Sequence, residues 1–273
     1  MRAVVYCWSP AKASYKRMPR ERSVSTSPAV NLLIDIGNTR LKWSLAVQGK
    51  LVQPGAAIAH CQLTEDRLLV EWRNLPTLKT VAVASVANQN IVESVFSVIQ
   101  RIQPGVPLHI VQPLKQSLGV VNAYTEPEKL GVDRWLGLVA ARHSGLGGVC
   151  IADCGTAITI DLLREDGRHL GGLIAPGLKL MMQALHQGTA ALPDALGSFP
   201  IAPANFTEAA IHSGVVLSAV GLIREVIGNY APNMQLILTG GDAAQIANFF
   251  PANSRLDLDL VLRGLAIVMM EIE

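Results

Sequence analysis

Hydrophobic patterning begins near Asn31. Leu32-Leu33-Ile34 is a short apolar run that ends at Asp35, and a turn, Gly37-Asn38-Thr39, follows. Beyond it Leu41, Trp43, Leu45 and Val47 alternate with Lys42, Ser44, Ala46 and Gln48. An apolar run, a turn and a period-two stretch predict a β-hairpin whose second strand buries one face. Thr80 to Val86 predicts a further apolar strand. Ile91, Val92, Val95, Ile99 and Ile102 recur at helical spacing, and Pro104-Gly105 stops that helix.

The same scheme recurs downstream. Val149 to Ala152 is a predicted strand ending at Asp153, Gly155-Thr156 makes a turn, and Ile158, Ile160 and Leu162 alternate with Thr159, Asp161 and Leu163. A third strand is expected after Gly167, running toward Gly171-Gly172-Leu173-Ile174. Gln235 to Leu238 predicts a strand that enters Thr239-Gly240-Gly241-Asp242 and corresponds to Val81–Ser85 of the first half. A helix is expected from about Thr207 to Ile227, with Thr207 as N-cap and Glu208 in its first turn, lying between or beside the halves. A helix over Leu260 to Met270 is expected to close the second half. Two Asp-x-Gly turns 118 residues apart, each between an apolar and an alternating strand, point to a duplicated α/β domain with a cleft between halves. The expected layout is a disordered basic leader over 1–30, an N-terminal half over 31–125, a connecting segment over 126–145 and a C-terminal half over 146–273.

Composition agrees with two domains. The chain has 273 residues, 50% of them hydrophobic and 16% charged, enough for two cores of about 130 residues each. No apolar run reaches the roughly 18 residues of a membrane span. The nearest, Ala209 to Ile223, contains His212 and Ser213 and is closed by Arg224 and Glu225, so it reads as a buried core helix. The charge is unevenly placed. Residues 1–30 hold six basic residues against Glu21, whereas the rest holds 17 basic and 20 acidic residues. The folded part is mildly acidic, and neither a nucleic-acid surface nor a membrane partner is indicated. Cys7, Cys61, Cys150 and Cys154 show no C-x-x-C spacing and read as reduced thiols of a cytoplasmic protein.

The two hairpins suit phosphoryl transfer. That chemistry needs backbone amides on the phosphates, a metal held by carboxylate and a group that orients or deprotonates the nucleophile. Glycine in the turns lets backbone approach phosphate. Asp35 can face Mg²⁺ through water, because Mg²⁺ sheds its hydration reluctantly. Asn38, Thr39 and Thr156 can donate to phosphate oxygens, and Lys42 either adds charge or is simply solvated. The P-loop pattern G-x-x-x-x-G-K-[ST] and the patterns G-x-G-x-x-G, G-x-S-x-G and H-E-x-x-H are all missing. His60, His109, His143, His169, His186 and His212 form no ligand-like pair, and His186, near Thr189, is the one closest to a candidate site residue. In the linking segment Tyr124 to Trp135, Pro127 suits a helix start. Asp133 can accept a proton from an alcohol and Arg134 can hold an anion, unless the two form a surface ion pair.

Taken together, D-I-G-N-T-R-L-K (Asp35–Lys42), G-V-D-R-W (Gly131–Trp135), D-C-G-T-A-I-T (Asp153–Thr159), G-G-L-I-A-P-G (Gly171–Gly177), T-A-A-L-P (Thr189–Pro193) and T-G-G-D-A (Thr239–Ala243) resemble the type III pantothenate kinase family. Some of its members are also called Bvg accessory factor homologues. The resemblance spans about residues 31–270. It implies an actin/hexokinase/Hsp70-like, ribonuclease H-like α/β fold and transfer of the γ-phosphoryl of ATP to the primary hydroxyl of pantothenate, the first step toward coenzyme A. It also implies specific roles. Asp35, Ile36, Gly37, Asn38, Thr39, Arg40, Leu41 and Lys42 would form the ATP phosphate loop, and Thr156 would contact ATP. Tyr124, Gly131, Val132, Asp133 and Arg134 would bind pantothenate, with Asp133 as proton acceptor and Arg134 on the carboxylate. Asp153 would hold a monovalent cation, K⁺ or NH₄⁺. Thr189 would reach pantothenate from a neighbouring subunit, which implies a homodimer. The leader of about 30 residues is not part of the family pattern. Rival readings are another enzyme of the superfold, such as a sugar kinase or exopolyphosphatase, and a non-catalytic regulator.

Overall fold

The hairpin at Asp35 forms at the middle of a larger sheet. The computed structural model describes residues 5–7, 29–195 and 197–272. It divides into two units, Met1–His143 with Asp259–Glu273, and Ser144–Leu258. In the first unit β1 (Val5–Cys7), β2 (Val30–Ile36), β3 (Arg40–Val47), β4 (Lys50–Leu51) and β5 (Ala56–Ala59) precede α1 (Glu65–Trp72). Then come β6 (Thr80–Ser85), α2 (Gln89–Ile102), β7 (Leu108–Val111), a small ladder of β8 (Gln116–Ser117) and β9 (Val120–Val121), and α3 (Val132–Arg142). Among the described residues the sheet order is β1-β7-β6-β2-β3-β4, with β5 also on β3. β2 pairs antiparallel with β3 and parallel with β6.

Alternation along β2 assigns its two faces. Leu32, Ile34 and Ile36 join Leu41 and Trp43 of β3 in a core with Leu68 and Trp72 of α1 and Val95, Phe96 and Ile99 of α2. Trp43 and Trp72 meet edge to face at 5.9 Å. The start of α1 is set by Thr64, whose hydroxyl accepts the Arg67 N–H at 3.1 Å, an N-cap. Leu33 and Asp35 therefore lie on the opposite face, where α3 packs on β6.

The second unit holds β10 (Val149–Cys154), β11 (Ala157–Leu163), β12 (His169–Pro176), α4 (Leu178–Gly188), α5 (Thr207–Tyr230), β13 (Gln235–Thr239), α6 (Ala243–Ile246) and β14 (Arg255–Leu256). Its sheet order is β12-β11-β10-β13-β14. β10 pairs antiparallel with β11 and parallel with β13, as β2 does with β3 and β6. The duplication read from the sequence is thus present strand for strand. Asp35 and Asp153 occupy the same register in the two copies, opposite Ala84 and Thr239 respectively on the parallel neighbour.

Several expectations are corrected. The last helix, α7 (Leu260–Ile272), closes the first unit, not the second. It packs on α3, β2 and β4, and so closely on α3 that a Cβ at Gly264 would stand 2.1 Å from the Leu136 carbonyl oxygen. Helix α3 likewise belongs to the first unit and is no free connector: Trp135, Leu136, Leu138 and Val139 are buried. Pro127 starts a separate 3-10 turn, Pro127–Lys129, and α3 begins after Gly131. Helix α5 starts one residue early, with Phe206 rather than Thr207 at the cap position, and runs to Tyr230. By length and composition alone its 24 residues are long and apolar enough to cross a membrane. Within the second unit, however, Ile211, Val215, Val216, Ala219, Val220 and Ile223 lie in the core with Cys150, Ile160 and Leu236. Of the leader over 1–30, most lies outside the described residues. Val5–Cys7 is described, and it forms a strand antiparallel to β7.

Candidate active site

The turn after β2 is tight. The Gly37 N–H donates to the Arg40 carbonyl at 3.1 Å, and a Cβ at Gly37 would press on that same oxygen at 3.3 Å. Asn38, Thr39 and Arg40 are exposed at the tip, Ile36 and Leu41 are buried beneath it, and Asp35 and Lys42 face each other as cross-strand partners. Directly opposed residues share a face of the sheet, so the carboxylate and the ammonium both project from the α3 side. The tip is tied down by a residue that patterning did not single out. The His60 N–H donates to the Thr39 carbonyl at 2.8 Å, and the His60 ring bonds the Asn38 backbone. Burial lowers the pKa of that ring, and the bond to Asn38 opposes the shift only in part.

The second turn is braced by glycines distant in sequence. The Gly155 N–H donates to the Ala157 carbonyl at 3.1 Å, and the Gly177 N–H to the Thr156 carbonyl at 3.0 Å. Gly177 lies against this turn so closely that a Cβ there would stand 2.1 Å from the Gly155 oxygen. Gly240 has φ +92°, and a Cβ on it would meet Asp153 Oδ1 at 2.4 Å and the Cys154 backbone at 2.5 Å. The Asp242 N–H donates to the Cys154 carbonyl at 2.9 Å. The last glycine of G-G-L-I-A-P-G and the first of T-G-G-D thus serve one purpose, which is to seat the backbone around Asp153. Asp153 is half-buried on the face opposite Ala152 and Cys154, whereas Thr156 is exposed. The Cys154 thiol is pushed up to about 12 by burial first, then by Asp153 and Asp242.

The third cluster surrounds the start of α3. Gly131 is the N-cap and Val132 the first helical residue, so Asp133 falls in the first turn, where the helix favours negative charge. Asp133 Oδ1 accepts the Arg134 N–H at 2.8 Å, and a Cβ at Gly131 would stand 2.5 Å from that oxygen. Arg134 is only 8% exposed, so its guanidinium requires partners. It donates to the Tyr124 hydroxyl at 2.8 Å and lies over the Tyr124 ring at 5.6 Å. The surface ion-pair alternative for Asp133 and Arg134 does not fit this burial.

Thr189 is the C-cap of α4. Its hydroxyl donates to the Leu185 carbonyl at 2.8 Å and accepts the Leu192 N–H at 3.4 Å, and His186 Nδ1 bonds the Leu192 carbonyl at 2.9 Å. Among the described residues no three His, Cys, Asp or Glu side chains gather as a metal cage.

Comparison with known proteins matches this arrangement to one family. The family model for type III pantothenate kinase matches residues 31–229. A type III pantothenate kinase of Nitrosococcus oceani is 38% identical over 247 residues, covering 87% of this chain and 92% of that protein. One of Paraburkholderia phytofirmans is 34% identical over 266 residues, covering 90% and 97%. Among solved structures, a protein described as a Baf family transcriptional activator from Campylobacter jejuni aligns with a TM-score of 0.57 at 23% identity, covering 88% of this chain and 98% of that one. A protein described as a 2-dehydro-3-deoxygalactonokinase from Sinorhizobium meliloti aligns with a TM-score of 0.52 at 14% identity, covering 89% and 99%. At such identities the structural likenesses show the fold alone, a duplicated actin/hexokinase-like α/β fold. The sequence matches carry more: this chain belongs to the type III pantothenate kinase family.

Proposed function

We propose that this chain transfers the γ-phosphoryl group of ATP to the primary hydroxyl of pantothenate, giving 4′-phosphopantothenate and ADP as the entry to coenzyme A biosynthesis. The observation that carries the reading is the Tyr124–Arg134–Asp133 cluster at the start of α3. There a buried guanidinium and a carboxylate occupy adjacent residues, a suitable pairing for an acceptor with a carboxylate at one end and a hydroxyl at the other. Arg134, with Tyr124, Gly131 and Val132, holds and orients pantothenate. Asp133 takes the proton of the hydroxyl as its oxygen attacks the γ-phosphorus and the bond to the bridging oxygen of ADP breaks. Residues Asp35 to Lys42 take the ATP phosphates, with the exposed Asn38, Thr39 and Arg40 donating from the tip and Lys42 supplying charge from beside Asp35. Thr156 donates to the nucleotide.

The donor chemistry also fits the ions that the family implies. Asp35 offers one carboxylate, which suits Mg²⁺ held largely by water and phosphate. Asp153 offers a carboxylate beside the Cys154 backbone carbonyl, and such hard oxygen donors suit K⁺ or NH₄⁺. When bound, these ions would offset the negative charge of the phosphates. A homodimer is supported by β12, an edge strand with Leu170, Leu173 and Ile174 exposed, and by Leu180 and Leu185, exposed on α4 just ahead of Thr189. Such a patch is the expected surface for a second copy whose Thr189 completes the pantothenate site. A cytoplasmic location accords with the substrates and with the buried thiols.

The product tests the reading. Incubation with ATP, Mg²⁺ and K⁺ should yield a phosphorylated pantothenate by mass spectrometry, and replacing K⁺ with Na⁺ should suppress it. Phosphorylation of sugars with none of pantothenate would contradict the substrate assignment.

A further inference from the structure

We propose that Lys115 and Asn122 are positioning residues for the acceptor site, holding the loop that carries Tyr124 and, through the Tyr124 hydroxyl, the guanidinium of Arg134. The inference rests on the reading of Tyr124 and Arg134 as pantothenate-binding residues.

Tyr124 belongs to no helix or strand. It sits between β9 and the turn Pro127–Lys129. Its place is nevertheless defined by two side chains that bond only to backbone. Asn122 is 1% exposed. Its carboxamide oxygen accepts the Tyr124 N–H at 2.9 Å, its amide nitrogen donates to the Pro127 carbonyl at 3.3 Å, and its own N–H donates to the Lys115 carbonyl at 2.9 Å. Asparagine suits this place because one short head both accepts and donates, which neither aspartate nor leucine can do. From just ahead of β8, Lys115 Nζ donates to the Asn122 carbonyl at 3.2 Å and to the Tyr124 carbonyl at 3.1 Å. One ammonium thus closes over two carbonyls of a single loop, with charge-assisted bonds.

None of these bonds uses the Tyr124 ring or hydroxyl, which remain against Arg134. Lys115 and Asn122 therefore act on the site through backbone. The consequence is specific: loosening this loop displaces the pantothenate contacts and leaves the ATP hairpin alone, because Asp35 to Lys42 is anchored separately, by His60 and the β-ladder.

The test is steady-state kinetics on the full chain, varying each substrate, with Lys115→Met, Lys115→Arg and Asn122→Asp. Lys115 is exposed, so Lys115→Met should fold normally, which a thermal melt checks. Lys115→Met should raise KM for pantothenate about tenfold, the scale of losing a charge-assisted bond, and Asn122→Asp, which loses the bond to the Pro127 carbonyl, should raise it as well. KM for ATP and kcat should stay within about twofold, the split expected when ground-state positioning alone is lost. Lys115→Arg should recover most of the effect. An unchanged KM for pantothenate in Lys115→Met, or equal losses toward both substrates, overturns the proposal. If Asn122→Asp fails to fold, Lys115→Met decides by the same criterion. A wild type without pantothenate-dependent turnover defeats the underlying acceptor reading instead, and this proposal with it.

Discussion

Cys154 follows directly on the carboxylate proposed to hold a cation, yet its thiol is held inert. Burial, then Asp153 and Asp242, push it up to about 12. Cys150 is pushed up to about 12 by burial and then by Asp161, whose carboxylate is bonded to His169 at 2.9 Å. Both values lie above the ordinary thiol value of about 8.5. The stability these neutral thiols contribute is therefore complete below about pH 8.5 and is lost as pH rises toward 12. Denaturant midpoints should fall between pH 9 and pH 11. Iodoacetamide at pH 8, read by peptide mapping, should modify the exposed Cys61 and reach Cys150 and Cys154 only on unfolding. Labelling of native Cys154 at the rate of Cys61 would contradict this. At this scale Asp35, Asp133 and Asp153 were legible because each stands at a junction marked by glycine or by a change of periodicity. His60, Asn122 and Lys115 were not, because their partners are backbone atoms of other segments, which no periodicity records.

At the scale of elements, the long apolar strands and the helices at Gln89–Ile102 and Thr207–Tyr230 were legible from period and stop signals. The two-residue strands β4, β8 and β9 were not, since so short a stretch has no period to read. The destination of α7 was misread for a related reason: an apolar helix announces that it is buried but not against what. Glycine spacing likewise marked the turns without showing that Gly177 and Gly240 brace the Asp153 turn from afar. Gly177→Ala should cost about 1–3 kcal/mol, because its Cβ would overlap backbone that cannot yield cheaply. Gly188→Ala, at the end of α4 with open space around it, should be neutral or slightly stabilising. Thermal melts of the two variants check the contrast, and equal melting temperatures would mean that the Asp153 turn is not braced as described.

For the whole molecule, duplication supplies two similar hairpins that are braced differently. The copies share strand order and register, but the tip after Asp35 is anchored by His60, whereas the turn after Asp153 is packed on by two glycines. The proposed dimer is a whole-molecule property too. Ile174→Lys, at the most exposed apolar position on β12, should convert the protein to monomer in light scattering, and a dimer that survives would remove that surface from consideration. The most direct test of the account is pantothenate-dependent release of ADP from ATP, compared between wild type and Asp133→Asn. The account predicts turnover by the wild type and a loss of about 10²–10⁴-fold in kcat for Asp133→Asn, the usual range for a missing general base. Full activity in Asp133→Asn, or no turnover with pantothenate in the wild type, would contradict it.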